Sequence, residues 1–366
     1  MQIEVSETQT PRQKPVGDLG FGRVFSDHVF RMDYEEARGW YDARIEPYAP
    51  IELDPAASSL HYAQAVFEGL KAFRGVDNVI RLFRPDRHAD RFQQSCDRMC
   101  IPRLPEGAFL EAVEHAVAQD HEWVPTEEGA ALYVRPFVFA TEAFLGVRPA
   151  KKYSFMVLMS PVGAYYAKGF APVRIWVERH AVRAARGGVG ASKTAANYAA
   201  SLHAATAAKA RGYDQVLWTD AEEHRFVEEV GTMNIFLHLG DEIVTPSLDS
   251  GTILPGVTRD SVIRLLRERG ENVVERRIDI DEVIEAHRKG TLREVFGTGT
   301  AAVVSPVAEL GFDDGDLTVG DGGVGPLARG LFDEIVALQR GEAEDRWGWT
   351  RVVGSAAPSS PDATPS

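Results

Sequence analysis

The sequence contains little that would build a disulfide framework, a metal centre or a membrane span. Cysteine occurs only twice in 366 residues. Cys96 and Cys100 lie about one turn apart in a predicted helix, where we expect two buried thiols. The ten histidines are scattered and show no metal-binding spacing such as His-Glu-x-x-His or paired Cys-x-x-Cys, so we expect no metal site. No run approaches the ~18 to 20 apolar residues that a membrane helix needs.

Basic residues are also too few for a nucleic-acid partner. The chain has 40 basic and 54 acidic residues and a formal charge of -14 at pH 7. A phosphate backbone would be repelled by this excess of negative charge. The first residues lack both an apolar signal core and an arginine-rich transit pattern. We therefore expect a soluble cytoplasmic protein that binds neither nucleic acid nor membrane.

The length of the chain exceeds what one hydrophobic core usually organises, so two domains are expected. A segment rich in proline and glycine, from Ser160 to Pro172, separates two strand-like runs and marks the predicted boundary. We predict a small N-terminal α/β domain at 1–163, an interdomain loop at 164–172, a large C-terminal cofactor-binding domain at 173–354 and a disordered tail at 355–366. The polar residues before about position 20 are expected to lie outside the fold.

Strand-like and helical patterns mix along the chain, which indicates the α/β (α+β) class. The predicted strands include Leu132–Ala140, Ser154–Met159, Val173–Val177 and Val216–Thr219. The predicted helices are Arg87–Met99, Phe109–Glu122, Ala195–Arg211, Thr258–Arg269, Ile280–Arg288 and Pro326–Gln339.

One segment approximates a nucleotide-binding P-loop. Gly187 to Thr194 nearly matches the pattern G-x-x-x-x-G-K-[ST]. However, Ser192 stands where that loop requires glycine, and the charged residues 178–186 separate the nearest strand from the glycines. The segment is better interpreted as a loop that presents Lys193 at the start of an alanine-rich helix.

Lys193 is followed by several sequence motifs in a fixed order. Asn197 and Tyr198 follow it directly, and three further motifs come at 229–234, 254–258 and 297–300. With the upstream segments 21–27, 61–75, 132–136 and 160–163, this ordered set resembles the branched-chain amino acid aminotransferases, which are fold-type IV pyridoxal phosphate enzymes. The resemblance covers nearly the whole chain except its tails.

The resemblance implies a two-domain fold with pyridoxal 5'-phosphate at the domain interface. It also implies transamination of leucine, isoleucine and valine with 2-oxoglutarate, which gives branched-chain 2-oxo acids and L-glutamate in branched-chain amino acid biosynthesis. Lys193 would bind the cofactor covalently and move the substrate proton. Glu229 would hold the pyridine nitrogen protonated, and Tyr198 would contact the phenolic oxygen. The neighbouring Glu228 and Glu223 are expected to be exposed.

The cofactor phosphate needs backbone donors and positive charge. Val257 and Thr258 open a predicted helix, so their amides would point at an anion. The resemblance adds Arg91, Thr300 and Thr232 to the cofactor-binding set. Arg87 and Arg98 are better candidates than Arg91 for an exposed helix face.

The substrate needs a site for its carboxylate and an apolar pocket for its side chain. The resemblance assigns the α-carboxylate to Thr232, Thr300 and Ala301, and the side-chain carboxylate of glutamate to Tyr133 and Arg135. It assigns the pocket walls to Phe21, Tyr62, Phe67 and Tyr165, with Leu145 and Val147 contributed by the second subunit of a homodimer.

Other activities remain open at this point. A D-amino acid aminotransferase or an aminodeoxychorismate lyase would share Lys193 and Glu229, and a catalytically silent protein that binds pyridoxal phosphate could retain the fold. The motif at 67–75 and the turn from Leu145 to Val147 favour the branched-chain activity.

Overall fold

The structure of the chain is a computed structural model that describes residues 1–15, 17, 19–163 and 170–354. The predicted tail at 355–366 and most of the predicted loop at 164–172 lie outside the described residues. The strands are β1 Glu4–Val5, β2 His28–Glu35, β3 Gly39–Pro47, β4 Ala65–Phe67, β5 Leu70–Arg74, β6 Ile80–Phe83, β7 Ala131–Ala140, β8 Lys152–Val162, β9 Val173–Glu178, β10 Gln215–Thr219, β11 Val227–Val230, β12 Asn234–Leu239, β13 Glu242–Thr245, β14 Val273–Glu275, β15 Leu292–Gly299, β16 Val303–Phe312, β17 Gly315–Thr318 and β18 Thr350–Val353. The helices are α1 Ser58–Tyr62, α2 Pro85–Arg98, α3 Ala108–Gln119, α4 Ala195–Ala210, α5 Val257–Glu268, α6 Ile280–Arg288 and α7 Pro326–Gln339.

The first sheet is built from the N-terminal strands and the last strand. Its order is β1-β3-β2-β8-β7-β5-β6-β18, and the short β4 pairs with β7. All neighbours are antiparallel except β1 and β3. Helices α2 and α3 cover one face through a buried cluster that includes Phe92, Phe109 and Phe155. This packing fixes the position of α2.

The second sheet is mixed, in the order β11-β10-β9-β16-β15-β12-β13-β14, with β17 paired to β16. Strand β9 lies parallel to both β10 and β16. Parallel neighbours need a crossover, and the connection from β9 to β10 contains the loop 187–194 and α4. Strand β10 is buried along most of its length, as its apolar sequence predicts for a strand covered on both faces.

Apolar contacts also join the two sheets. A third cluster contains Phe73 and Phe83 from the first sheet together with Phe236, Phe296 and Leu331 from the second sheet and α7. The start of α2 is tied to α5 by Arg84, whose guanidinium bonds to Asp260 at 2.6 Å and to Ser261 at 2.7 Å. The α/β (α+β) class predicted from the sequence is confirmed.

Two expectations about the ends and the thiols are wrong. Glu4 and Val5, expected to lie outside the fold, pair with Arg44 and Ile45 of β3. Cys96 is buried as expected, but Cys100 is exposed because it comes after the end of α2, in a left-handed conformation. The domain division stays a prediction: β8 ends at Val162 and β9 begins at Val173, whereas β18 returns to the first sheet. No helix in the described part of the chain is both long and apolar enough to cross a bilayer.

Candidate active site

A cavity of about 390 Å³ lies where elements of both sheets meet. Strands β4 and β7 of the first sheet contribute residues, as does α2, which packs on that sheet. The loop before α4, the start of α5 and the end of β15 contribute the others. Most of the predicted site residues line this cavity: Phe21, Phe67, Arg91, Tyr133, Arg135, Lys193, Tyr198, Thr232, Val257, Thr258, Thr300 and Ala301. Residues far apart in sequence therefore converge on one space.

Lys193 directly precedes the N-cap of α4, and it lines the cavity. Its Nζ lies 2.6 Å from the hydroxyl of Tyr198 and 4.8 Å from the centre of the Phe67 ring. Its backbone is held on both sides: its N–H donates to Ser95 Oγ at 3.0 Å, and its carbonyl accepts from the Phe67 N–H at 3.0 Å. The N-cap residue Thr194 is buried and donates to the Ala65 carbonyl at 2.8 Å. The amine is thus presented by a fixed backbone.

Glu229 lies in a small pocket that two residues of the cavity, Tyr198 and Thr232, also line. It is 3% exposed, and its Oε1 accepts a hydrogen bond from the Leu254 N–H at 2.7 Å. Its Oε2 is 3.2 Å from Nε of Arg183, a buried arginine. Burial raises the pKa of Glu229, and the charge of Arg183 opposes that shift. The arrangement holds a buried carboxylate against one cation.

The expectation that Glu228 is exposed is wrong. This residue is 4% exposed, and burial raises the pKa of its carboxyl group. Its Oε1 accepts a hydrogen bond from the Thr252 hydroxyl. Every residue of β11 is buried, and both glutamates accept hydrogen bonds from the segment 252–254. Glu223, in contrast, is exposed as expected.

The start of α5 faces the cavity without a side-chain cap. Its first residues, Val257 and Thr258, line the cavity, and amides in a first helical turn are free to bind an anion. Arg91 is buried and donates from Nη1 to the Pro255 carbonyl at 3.1 Å, beside this turn. Arg87 and Arg98 are exposed, as the sequence indicated. Positive charge and backbone donors therefore lie at the same end of the cavity.

Two features of the cavity fit the expected pyridoxal phosphate: the close packing of the turn before α5 and the presence of polar atoms left unpaired within the described part of the chain. A Cβ atom at Gly256 would lie 1.9 Å from Asn234 Oδ1, so only glycine allows the turn before α5 to pack this closely. Two atoms of residues that line the cavity, Thr298 Oγ1 and Arg135 Nε, are buried without a hydrogen-bond partner among the described residues. Buried polar atoms are normally satisfied, so a polar ligand is expected here.

A third group of side chains forms an aromatic and cationic wall. Arg135 donates to the Tyr133 hydroxyl at 3.0 Å and lies 4.7 Å from the centre of the Phe67 ring. Phe21 packs against Tyr133 with ring centres 4.9 Å apart. Apolar surface and a fixed cation thus share one wall, which suits a pocket that takes an apolar side chain and a carboxylate in turn.

Three residues that the sequence did not single out contact the predicted site. Arg183 faces Glu229, Glu68 bonds to Arg91, and Lys71 donates from Nζ to the Ala301 carbonyl at 2.6 Å. Lys71 is buried, and burial lowers its pKa to about 8. Glu68 and Lys71 stand in the quoted motif at 67–75, whereas Arg183 stands in the charged segment 178–186. A motif shows that a residue is constrained, but it does not show what the side chain contacts.

The remaining predicted residues lie apart from the cavity. Tyr62, Leu145 and Val147 do not line it, and Tyr165 lies outside the described residues. The Tyr62 hydroxyl donates to the Leu145 carbonyl, and the turn is exposed: Leu145 by 60% and Val147 by 84%. With the exposed rings of Tyr62 and Phe144, these residues form an apolar surface patch. No cluster of three or more potential metal ligands occurs in the part of the chain that the structure describes.

Comparisons with known proteins agree with this geometry. The family model described as amino-transferase class IV matches residues 65–310. The chain is 50% identical over 355 residues to branched-chain-amino-acid aminotransferase 2 of Bacillus subtilis (strain 168). This match covers 97% of this chain and 97% of the relative. It is 53% identical over 353 residues to branched-chain-amino-acid transaminase 1 of the same organism, which covers 96% of this chain and 99% of the relative.

Solved structures show the same likeness at lower identity. A branched-chain amino acid aminotransferase from Escherichia coli superposes with a TM-score of 0.71 and 26% identity, and the match covers 90% of this chain and 99% of the solved chain.

Proposed function

The chain belongs to the class IV aminotransferases and, within them, to the branched-chain amino acid aminotransferases, and from this premise we propose how its own residues carry the reaction. The enzyme uses pyridoxal 5'-phosphate to transfer the amino group of leucine, isoleucine or valine to 2-oxoglutarate, giving branched-chain 2-oxo acids and L-glutamate. The bound cofactor supplies an aldehyde that links amines covalently and a ring that accepts the electron pair left when the substrate Cα loses its proton.

Lys193 is the proposed point of covalent attachment and the proposed acid and base. Its amine is the one lysine amine among the described residues that line the cavity, and it lies within hydrogen-bond distance of Tyr198. Lys193 Nζ would hold the cofactor, and the same amine, when free, would move the proton at the substrate Cα. Tyr198 would orient the amine and hold the phenolic oxygen through its hydroxyl.

Glu229 is proposed to accept a hydrogen bond from the protonated ring nitrogen. A carboxylate in that position favours negative charge developing in the ring because it keeps the nitrogen cationic. Arg183 and the Leu254 N–H hold Glu229 in place and favour its ionised form. Arg91, Thr300 and the amides of Val257 and Thr258 would bind the phosphate.

The substrate is proposed to bind by its α-carboxylate and by its side chain. Thr232, Thr300 and Ala301 line the cavity, where their backbone donors would orient the carboxylate. Phe21, Phe67 and Tyr133 would enclose a branched side chain, while Arg135 would pair with the second carboxylate of glutamate.

A homodimer is proposed because the apolar patch formed by Tyr62, Phe144, Leu145 and Val147 is exposed in the single chain. Exposed apolar patches of this kind mark interaction sites. In this proposal the turn from Leu145 to Val147 closes the substrate pocket of the neighbouring subunit. A cytoplasmic location belongs to the same proposal and is tested by cell fractionation.

The observation that carries the proposed site is the cavity that Arg91, Lys193 and Tyr198 line together, in which Lys193 contacts Tyr198 and Tyr198 also lines the small pocket that contains Glu229. The test measures amino transfer by the purified holoenzyme to 2-oxoglutarate, with L-leucine, L-isoleucine, L-valine and D-alanine as donors. We expect transfer from the three branched L-amino acids and little from D-alanine. Preferred use of D-alanine would favour the D-amino acid activity, and no transfer from any donor would contradict the assignment.

A further inference from the structure

One face of α2 carries three buried polar residues that the reaction described above does not fully explain. His88, Arg91 and Ser95 are spaced at i, i+3 and i+7, so they share a face of the helix. All three are buried. Arg91 faces the proposed phosphate site, and Ser95 Oγ accepts from the backbone N–H of Lys193 at 3.0 Å. A single helical face therefore contacts both attachment points of the cofactor.

Glu68, which directly follows β4, is fully buried and contacts this face of α2. Its Oε1 accepts from Arg91 Nε at 2.7 Å, and its Oε2 accepts from Arg91 Nη2 at 2.9 Å, which makes the pair bidentate. The same Oε2 lies 2.7 Å from His88 Nδ1 and accepts from the Gly69 N–H at 3.1 Å. Every polar group of the Glu68 side chain is thus satisfied.

The protonation states follow from these contacts. Burial alone would raise the pKa of Glu68, but the charge of Arg91 and the contact with His88 hold it well below its usual range. Burial lowers the pKa of His88. Glu68 is therefore an anion, and a neutral His88 donates to it from Nδ1.

The pair leaves Arg91 only one orientation. Glu68 engages Nε and Nη2, and the Pro255 carbonyl accepts from Nη1 at 3.1 Å. The guanidinium plane is therefore set before any phosphate binds, beside the first turn of α5. A buried ion pair is weak evidence for stability, because well-packed apolar residues can replace one without loss, so a role in orienting Arg91 explains it better.

Glu68 is also connected to the lysine. The residue before it, Phe67, donates its N–H to the Lys193 carbonyl at 3.0 Å, while Ser95 on α2 accepts from the Lys193 N–H. The backbone of Lys193 therefore lies between β4 and α2, and the ion pair of Glu68 and Arg91 joins the same two elements. The pair fixes the spacing between the proposed phosphate site and the proposed lysine.

We propose that Glu68 is a positioning residue that acts through Arg91 to set the affinity of the protein for the phosphate group of its cofactor. This inference rests on the proposed roles of Arg91 and Lys193. His88 supports Glu68 as a neutral donor on the same carboxylate. Glu68 does not touch the cofactor itself in this account.

The test compares two ligands that differ only in the phosphate. Apoprotein is titrated with pyridoxal phosphate and with pyridoxal. The dissociation constant for pyridoxal divided by that for pyridoxal phosphate measures the contribution of the phosphate to binding. For Glu68→Gln we expect the affinity for pyridoxal phosphate to fall roughly 10- to 100-fold, as for loss of a hydrogen bond to a charged group. The affinity for pyridoxal should change less than about threefold, because its contacts do not involve Arg91.

Glu294→Gln is the matched control. Glu294 is another buried glutamate, and it accepts from the Leu327 and Ala328 N–H groups at 2.9 Å, away from the cavity. It should leave the ratio unchanged. Glu68→Asp serves if Glu68→Gln does not fold, because it keeps the charge but is too short to engage both Arg91 nitrogens. Glu68→Asp should lower the ratio of the two dissociation constants by a smaller factor than Glu68→Gln does.

The outcomes separate this inference from the site proposal. If the wild-type protein binds both ligands equally, the phosphate site at Arg91 is wrong. If the wild type prefers the phosphate and both Glu68 variants keep the full preference, the role of Glu68 is wrong. Equal loss of both ligands in the variants would also overturn it, since that would indicate general disruption of the site.

Discussion

Replacing Leu145 with aspartate tests whether the exposed turn completes a neighbouring active site. Leu145 is 60% exposed in the single chain. Full burial of a leucine side chain stabilises by roughly 1.5 to 3 kcal/mol, so covering the exposed part contributes about 1 to 2 kcal/mol. A twofold dimer contains this contact twice, and Leu145→Asp should therefore weaken association by about 2 to 4 kcal/mol, roughly 30- to 1,000-fold. Burial of the new carboxylate would add to the effect.

Two assays measure the consequence. Analytical ultracentrifugation gives the dimer dissociation constant, and steady-state kinetics gives the KM for leucine, which should rise because the substrate pocket loses an apolar wall. The control is Val76→Asp, which introduces the same charge at another exposed apolar residue, on the hairpin between β5 and β6. A dimer and a KM that are unchanged in Leu145→Asp would refute the reasoning.

A mixing experiment tests whether the turn acts across the interface. Lys193→Ala lacks the proposed lysine, and Leu145→Asp lacks the intact turn, so each homodimer should have little activity. After equal subunits are reassorted, half of the dimers are mixed, and each has one site that combines an intact lysine with an intact partner turn. Activity should recover to about one quarter of the wild-type value. Verified mixed dimers without any recovered activity would contradict a shared site.

Three further changes test separate parts of the account. Glu229→Gln should lower kcat by roughly 100-fold with a smaller effect on KM, since a neutral amide stabilises developing charge less well; an effect on KM alone would contradict this role. Arg135→Met should lower kcat/KM for glutamate roughly 10- to 100-fold while sparing leucine, because only glutamate has a second carboxylate to pair; equal losses would contradict it. Lys71→Met should be more stable than the wild type at pH 7, because the folded pKa of Lys71 is lowered to about 8. As pH falls, Lys71 takes up its proton in the unfolded chain before it does so in the folded protein, so the free energy of unfolding of the wild type decreases by up to about 3 kcal/mol between the two pKa values. The stability advantage of the variant should therefore shrink as pH rises above 8. A stability difference that does not change with pH would contradict this reasoning.

Regular elements were the part of the fold that sequence patterns predicted best. Helices α6 and α7 begin and end at the predicted residues, because each has an apolar stripe and a clear start signal, which is the Asp279 N-cap for α6 and Pro326 in the first turn for α7. Helix α2 starts two residues earlier than predicted, at Pro85, since proline suits the first position of a helix. Strand β8 is longer at both ends than predicted, because pairing with β7 and β2 extends it beyond its most apolar residues.

Burial of polar residues was predicted less well. Glu228 and Arg183 stand in sequence contexts that suggest exposed charge, yet both are buried. A carboxylate can be buried when a cation or a hydroxyl from a distant segment meets it, as Arg183 meets Glu229 and Thr252 meets Glu228. Such partners come from tertiary packing, and no local pattern encodes them.

The same limit applies to the site. Lys193, Tyr198 and Arg91 could be predicted because their motifs resemble a known family, and the structure places all three at one cavity. The contacts that orient them, through Ser95 and Glu68, became visible only when β4, α2 and the loop before α4 were seen together. Residues proposed to act across two subunits, such as Leu145, are exposed in a single chain, so a test of their role depends on the assembly.

Covalent trapping of the cofactor tests the central claim most directly. Borohydride reduction of the holoenzyme makes the bond between lysine and cofactor permanent, and mass spectrometry of the digested protein then locates the phosphopyridoxyl group. The account predicts this group on the peptide that contains Lys193, and no label in Lys193→Ala. Label on another lysine, such as the buried Lys71 that contacts Ala301, would contradict the assignment of Lys193.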